Sequence, residues 1–526
     1  MLILGILAAL SAGAGAATFY VDAINGSDAN PGSQAAPWRT VAKVNSTTKA
    51  GDTVSFLAGG VWNEALVPVS GTALSLTTYA SYGTGSKPKI KGLTVNNKAY
   101  VSVNGLEIWN DNSNFPVYIY GGSNHISVRN CTIWASSSCG WWAAFYVTNA
   151  NYNDFEYNTV EHQNLASQHD AFALDQGCSY NIIKNNTTGK ASHYSLSITG
   201  ASDINPTWSS SYNYIGYNTV NNPNGSPAQN YTNANNNIIE YNTFSGGGTL
   251  DSYPTTFKLL GSNNVFRYNI LKDMPQGTTN GRGLRLETYA YGGNWPVNVA
   301  MYNHVYGNII TNIGGTEGGN GAIYIGTNDT TGVATNAYNI FKNNIVFNNL
   351  LSNEITRQYS PLIHDNAFIN NIIYRSNKTN IIYTDGAART VSGAQLYEPT
   401  LWQGNVQSDP MLDSSLKPLQ GSPALESGAH LTTITSIPGS GTSLAVADPR
   451  YFTDGMGIVS GDIIQIGTQT AIIIAINYST KVLTLDRTVT WTQGATISLP
   501  YKGTKPDIGI EKNITVLAPP TGLTVN

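Results

Sequence analysis

Asn237-Ile238-Ile239-Glu240-Tyr241-Asn242-Thr243-Phe244 and Asn264-Val265-Phe266-Arg267-Tyr268-Asn269-Ile270-Leu271 say nearly the same thing, 27 residues apart. Seven further copies surround them: NHISVRNCTI, YNDFEYNTV, YNIIKNNTT, YNYIGYNTV, YNHVYGNII, YNIFKNNIV and NAFINNIIY. Their inner asparagines fall at Asn130, Asn158, Asn186, Asn218, Asn242, Asn269, Asn308, Asn344 and Asn371, with gaps between 24 and 39 residues. One short apolar run per copy at this period is the signature of a solenoid.

The alternation selects the kind of solenoid. Apolar residues come in short runs of period two, broken by Asn, with no helical stripe. Asn tolerates the left-handed backbone conformation and so turns the chain between two short strands. Stacked coil on coil, equivalent asparagines hydrogen-bond to one another. The expected fold is therefore all-β, a right-handed parallel β-helix with an asparagine ladder at one corner. Nine equivalent positions argue for a structural role for these residues, not a catalytic one.

The flanks complete the plan. Residues 1–17 are small and apolar, with Leu2–Leu10 as a hydrophobic region and Ala14-Gly15-Ala16 as a cleavage site. They read as a secretory signal peptide, although no Lys or Arg precedes them. Residues 18–429 carry the β-helix domain, opened by a strand and by PWRTVAKVN as a short capping helix. Residues 430–503 hold strand-like runs between Gly/Asp turns and read as a small β-barrel or sandwich, a candidate carbohydrate-binding or end-capping module with capping the simpler role. Residues 504–526 bring PDIGIEK, which resumes the end of the solenoid, and a Pro/Gly tail.

Composition excludes several classes. Charged residues make up only 11% and the net charge is −4, so nothing attracts nucleic acid or an anionic membrane as a whole. An acidic partner would have to meet a local basic patch. Cys131 and Cys139 are candidates for one short disulfide in an oxidising compartment, with Cys178 buried alone. His169 and His193 lack a third ligand at zinc-site spacing. A secreted monomer is the expectation.

Chemistry on such a fold lies on the outward side chains of one sheet. Aligning the strands by their inward apolar pairs, Phe172/Leu174, Leu196/Ile198, Phe257/Leu259, Leu284/Leu286 and Ile323/Ile325, turns the residues between them outward. These are Ala173, Ser197, Lys258, Arg285 and Tyr324. The next outward positions hold Asp175, Leu260 and Glu287, and the entering loops add His169, Asp170, Lys190, His193, Asp251, Tyr253 and Arg282. In a chain this poor in charge, the crowding is a functional signal; the alternative is a solvated face of ion pairs. Two cations on adjacent strands repel, which favours a neutral lysine able to act as a base. An acidic sugar explains them together. Cleavage by β-elimination needs a carboxylate neutralised, a C5 proton removed and a departing oxygen stabilised. Lys258 would be the base and Arg285 its partner at the carboxylate or leaving group. His169, His193, Tyr253, Arg282, Glu287 and Tyr324 would contact neighbouring sugars.

Several of these motifs resemble known families. YVDAINGSDANPG, PWRT, GDTV and YGTGSKPKIKG resemble the opening of secreted β-helix polysaccharide lyases and glycosidases. TFKLLG at Thr256–Gly261 and HDAFAL at His169–Leu174 resemble two motifs of polysaccharide lyase family nine, the β-helix pectate lyases. That resemblance implies a catalytic role for Lys258 and a calcium role for Asp170, with Asp175 as a second ligand of a possible Ca2+ site. One coil on, where that family has a paired Asp-Asp, this chain has Ser192-His193-Tyr194. The order Lys258 then Arg285, the latter in GLRLE at Gly283–Glu287, also resembles polysaccharide lyase family six. The expected function is cleavage of a uronic-acid-containing, pectate-like polysaccharide by a lyase. A glycoside hydrolase using paired carboxylates among Asp170, Asp175, Asp251 and Glu287 is the alternative within enzymes. A glycan-binding adhesin or spike is the alternative outside them.

Overall fold

The computed structural model describes residues 15–510 except 113, 167, 201–207, 232, 249, 251–253, 276–280, 291–296 and 316–320. The expected signal peptide therefore lies almost wholly outside the described residues, as do the tail 511–526 and Tyr253. Among the described residues, no helix is long and apolar enough to cross a membrane.

Each coil visits three sheets in turn, as at Ile182–Lys184, Thr187–Thr188 and Tyr194–Thr199. Stacking coil on coil produces parallel sheets of fourteen, twelve and twelve strands, the parallel β-helix that the repeats imply. Inward residues of all three sheets merge into one continuous core, including Val128, Phe155, Phe172, Ile215, Phe266 and Phe341. A helix closes each end of this core. Val41–Thr47 is the expected one, N-capped by Thr40, whose hydroxyl accepts from the Lys43 amide at 3.0 Å. Val391–Tyr397 does the same at the far end, with Val391 and Ala394 in the core. Both cover strand edges and apolar side chains that would otherwise face water.

The corners carry two asparagine ladders where the repeats suggest one. The inner ladder runs through Asn158, Asn186, Asn218, Asn242, Asn269, Asn308, Asn344 and Asn371 to Asn405. At Asn158, for example, the amide and the side-chain nitrogen both donate to Asn186 Oδ1, at 2.9 and 3.1 Å. The outer ladder uses Asn153, Asn181, Asn213, Asn237, Asn264, Asn303, Asn339 and Asn366 in the same way. Asn130 is not a member: it sits one position early, and Cys131 takes the place, its amide donating to Asn158 Oδ1. The left-handed residue of each turn is the one before the ladder asparagine, as at Tyr157, Asn185, Tyr217 and Tyr241, each with φ between 53° and 58°. The ladder asparagines thus serve as hydrogen-bond struts and leave the bend to their predecessors.

The three described cysteines are free and buried. The strand Thr132–Ala135 runs between Cys131 and Cys139 and, at about 3.3 Å per residue, carries them beyond disulfide reach.

Residues around 430–503 form a six-stranded antiparallel sheet. It does not cap an end. It lies on the outer face of the fourteen-stranded sheet and shares an apolar cluster with it, in which Tyr214, Ile238, Val265 and Tyr306 meet Leu431, Tyr451, Phe452 and Ile473. Arg267 anchors the contact, donating to both carboxylate oxygens of Asp462 at 2.8 and 2.6 Å and to Glu240 at 2.6 Å. Ile508 then packs against Ile309, Ile345 and Ile372 on the outside of the second sheet; it adds no further coil.

Candidate active site on the third sheet

The outward row expected from the apolar alternation is present in register. Ala173 pairs with Ser197, Ser197 with Gln229, Gln229 with Lys258, Lys258 with Arg285 and Arg285 with Tyr324. Gln229 belongs to a coil that the apolar pairs miss, because the inward pair there is Ala228 and Asn230. Asn230 is tolerated inside since its amide donates to the Ala234 carbonyl at 2.7 Å and its carbonyl accepts from Asn237 at 3.0 Å.

At the entry to each strand the alternation breaks, and this break builds the site. Ala171 and Phe172 both face the core. In the same register, a side chain on Gly283 would collide with the Ala322 carbonyl and crowd Ile310 and Ile313, so only glycine fits there beside Leu284. Two consecutive inward residues put Asp170 and Arg282 on the outside together with Ala173 and Arg285. Arg282 thereby stacks on Tyr324, its guanidinium carbon 4.1 Å from the ring centroid.

Lys258 is buried, and its Nζ donates to Tyr194 Oη while lying 4.8 Å from that ring's centroid. Tyr194 stands two coils away and reaches across the small side chain of Ser226, which is its partner in register. Its ring packs on His193, centroids 3.8 Å apart. His193 Nδ1 in turn bonds Asp170 Oδ1 at 2.9 Å. Tyr194 is the candidate site residue that reading the strands one at a time misses, since its hydroxyl meets Lys258 only through stacking.

Arg285 is engaged inside the protein. Its Nη2 pairs with Glu287 Oε2 and donates to Tyr289 Oη at 2.7 Å, and Tyr289 donates to Glu287 at 2.7 Å. Glu287, only 2% exposed, is consumed by this triad, which corrects its assignment as a sugar contact. Arg282 differs. It is 7% exposed, and its Nε and Nη1 have no hydrogen-bond acceptor among the described residues. Burial, with the charge of Arg285 beside it, brings its pKa down to about 10. An anion placed there would satisfy donors that the fold leaves open.

The calcium expectation does not fit. Asp170 already accepts from His193, from the Tyr194 amide at 3.0 Å and from the Ser197 hydroxyl at 2.6 Å. Asp175 lies five residues along the same strand, roughly 16 Å away at strand rise, and accepts from Tyr146 at 3.3 Å. Burial pushes its carboxyl up to about 7. A calcium ion needs six to eight converging oxygens, and no cluster of three or more ligating His, Cys, Asp or Glu exists among the described residues. His169 sits behind the site against His162, ring centroids 4.5 Å apart and 3% exposed, which removes it from the substrate face.

No sequence-family model matches the chain, and no curated protein matches it. Solved structures do match this chain, among them the following three. An alginate lyase from Paenibacillus sp. str. FPU-7 is 14% identical, with 65% of this chain and 99% of that one covered and a TM-score of 0.39. The pectate lyase Pel9A is 13% identical, with 81% and 94% covered and a TM-score of 0.38. The catalytic domain of a GH87 α-1,3-glucanase is 15% identical, with 70% and 62% covered and a TM-score of 0.38.

Proposed function

We propose that the protein is a secreted polysaccharide lyase that cleaves a uronic-acid polymer by β-elimination on its third sheet. The observation that supports this reading is a buried lysine in contact with a tyrosine hydroxyl, with a buried arginine on the adjacent strand. Lys258 touches Tyr194, and one strand on, buried Arg282 holds two N–H groups with no acceptor among the described residues. A uronate carboxylate seated on Arg282 has its charge met, which acidifies the C5–H bond next to it. The Lys258 amine, acting as the base, takes that proton, the C4–O bond breaks as the C4=C5 double bond forms, and the Tyr194 phenol protonates the departing oxygen. The Lys258–Tyr194 hydrogen bond then returns the proton from the ammonium to the phenolate and resets both groups. Asp170 and His193 act as positioning residues by fixing the Tyr194 ring.

The division of labour between the arginines changes with this geometry. Arg282 takes the substrate carboxylate, while Arg285, paired with Glu287 and Tyr289, braces the strand. The hydrolase reading is less well supported because Asp170 and Glu287 are both saturated by protein donors. Among the described residues Asp175 has no second open carboxylate beside it on the strand, and Asp251 lies outside them. The test is a panel of pectate, alginate, glucuronan and chondroitin, with calcium or with chelator, followed by ultraviolet absorbance. An unsaturated uronate product from one of them supports the reading, and its independence of chelator supports the donor-set argument. New reducing ends without unsaturation overturn it.

A further inference from the structure

The residue before each outer-ladder asparagine also stacks, and the stack has a gap. In register these positions are Tyr100, His125, Tyr152, Tyr180, Tyr212, Asn236, Asn263, Tyr302 and Tyr338, all left-handed with φ between 54° and 60°. A bulky ring is unusual in that conformation, and here ring stacking compensates. Tyr152, Tyr180 and Tyr212 lie 4.9 and 5.1 Å apart at 6° between planes, and Tyr302 and Tyr338 lie 5.0 Å apart at 7°. Between Tyr100 and Tyr338 only Asn236 and Asn263 interrupt the series, which ends at Asp365. Where the rings are missing there is a cleft of about 440 Å3, closed on its outer side by Asp454 and Tyr478 of the small domain.

We infer that this cleft binds one neutral pyranose ring of a glycan, at a site separate from the third-sheet groove. One face of Tyr212 is covered by Tyr180, and no ring or cation stacks on the other among the described residues. One face of Tyr302 is covered by Tyr338, and the Arg450 guanidinium lies 5.1 Å from its centroid on the other side. Tyr212 and Tyr302 are three strand spacings apart, about 14 Å. Subtracting the Arg450 layer leaves about 9 Å, the space of one flat ring in contact at about 4.5 Å on each side. The C–H face of a pyranose suits the Tyr212 face. Its hydroxyls would meet the side-chain amides of Asn236 and Asn263, which make no hydrogen bond among the described residues, and the carboxylate of Asp454. That carboxylate accepts from the Met456 and Ile476 amides at 3.1 and 3.2 Å and retains lone pairs. Arg450 is neutralised by Asp448, at 2.9 and 3.2 Å, so the cleft offers no net positive charge and suits a neutral sugar better than a uronate.

The inference stands apart from the lyase reading and is tested with the groove silenced. The full chain carrying Lys258→Ala is titrated, by calorimetry and by saturation-transfer NMR, with β-1,4-linked trisaccharides of glucose, mannose and xylose and with α-1,4-linked glucotriose. At least one should bind. Tyr212→Ala should weaken it about tenfold or more. Asn236→Tyr, which fills the gap with the residue the neighbouring coils carry, should abolish binding while the melting temperature holds or rises. Arg282→Ala should change nothing in this assay. No binding across the panel overturns the inference, as does binding that survives Asn236→Tyr or is lost in Arg282→Ala.

Discussion

Lys258 and Tyr194 are held by different kinds of force. Strand register fixes the lysine beside Arg285, whereas ring packing on His193 and the reach across Ser226 fix the phenol. Removing only the Tyr194 hydroxyl should therefore spare binding and damage turnover. Tyr194→Phe is expected to lower kcat by about 10²-fold or more with KM little changed, as for loss of a general acid. Arg282→Gln should instead cost about 2 kcal/mol of transition-state stabilisation, a loss of about 30-fold in kcat/KM on the uronate polymer. Asp175 offers a test that does not involve catalysis. Its folded pKa near 7 exceeds the ordinary carboxylate value of about 3.9, so the folded state binds the proton more tightly. Stability from this group is complete below about pH 4 and is lost as pH rises to about 7. Asp175→Asn should raise the melting temperature at about pH 8 and leave it nearly unchanged at about pH 4.

At the scale of the element, the asparagine ladders and the strand entries decide what the coil can present. Asn242 donates to Asn269 Oδ1 and to the Ile215 carbonyl, each at 3.0 Å, and its carbonyl accepts from the Asn218 amide at 2.9 Å. Asn242→Ala strands several buried groups at once and should destabilise the fold by on the order of 3 kcal/mol, measured by urea unfolding. Much of this element structure was legible beforehand. The period-two alternation placed Lys258, Arg285 and Tyr324 in one outward row because side-chain direction in a strand follows from spacing alone. What escaped was whatever depends on neighbours in space. The outer ladder was hidden because its asparagines look like ordinary turn residues. The coil of Gln229 was legible in YNYIGYNTV, but its strand on the third sheet was hidden because Asn230 faces inward and breaks the apolar pair. Arg282 could be read only as a loop residue until Gly283 and Leu284 were seen to face inward together.

The whole molecule is a solenoid with a second domain seated along its flank. Short strand-like runs between turns identified that domain, but its place depends on Arg267 meeting Asp462 across 195 residues, which no local pattern encodes. Arg267→Ala would leave Glu240 and Asp462 as uncompensated buried charges, costing about 3–5 kcal/mol. It should show as early proteolysis near residues 430 and 503 while the β-helix persists. The seam makes the Tyr212 cleft and lies on a different sheet from Lys258, so a glycan held at one is not handled by the groups of the other.

The most direct measurement follows oxygen during cleavage. The active polymer is digested in water enriched in heavy oxygen, and the product ends are weighed by mass spectrometry. Elimination breaks the C4–O bond without adding water. The expected products are therefore unsaturated, carry no heavy oxygen at the new ends, and disappear with Lys258→Ala. One heavy oxygen built into each new reducing end and none into the new non-reducing end, with no double bond, would make the enzyme a hydrolase and contradict the role given to Lys258 and Tyr194.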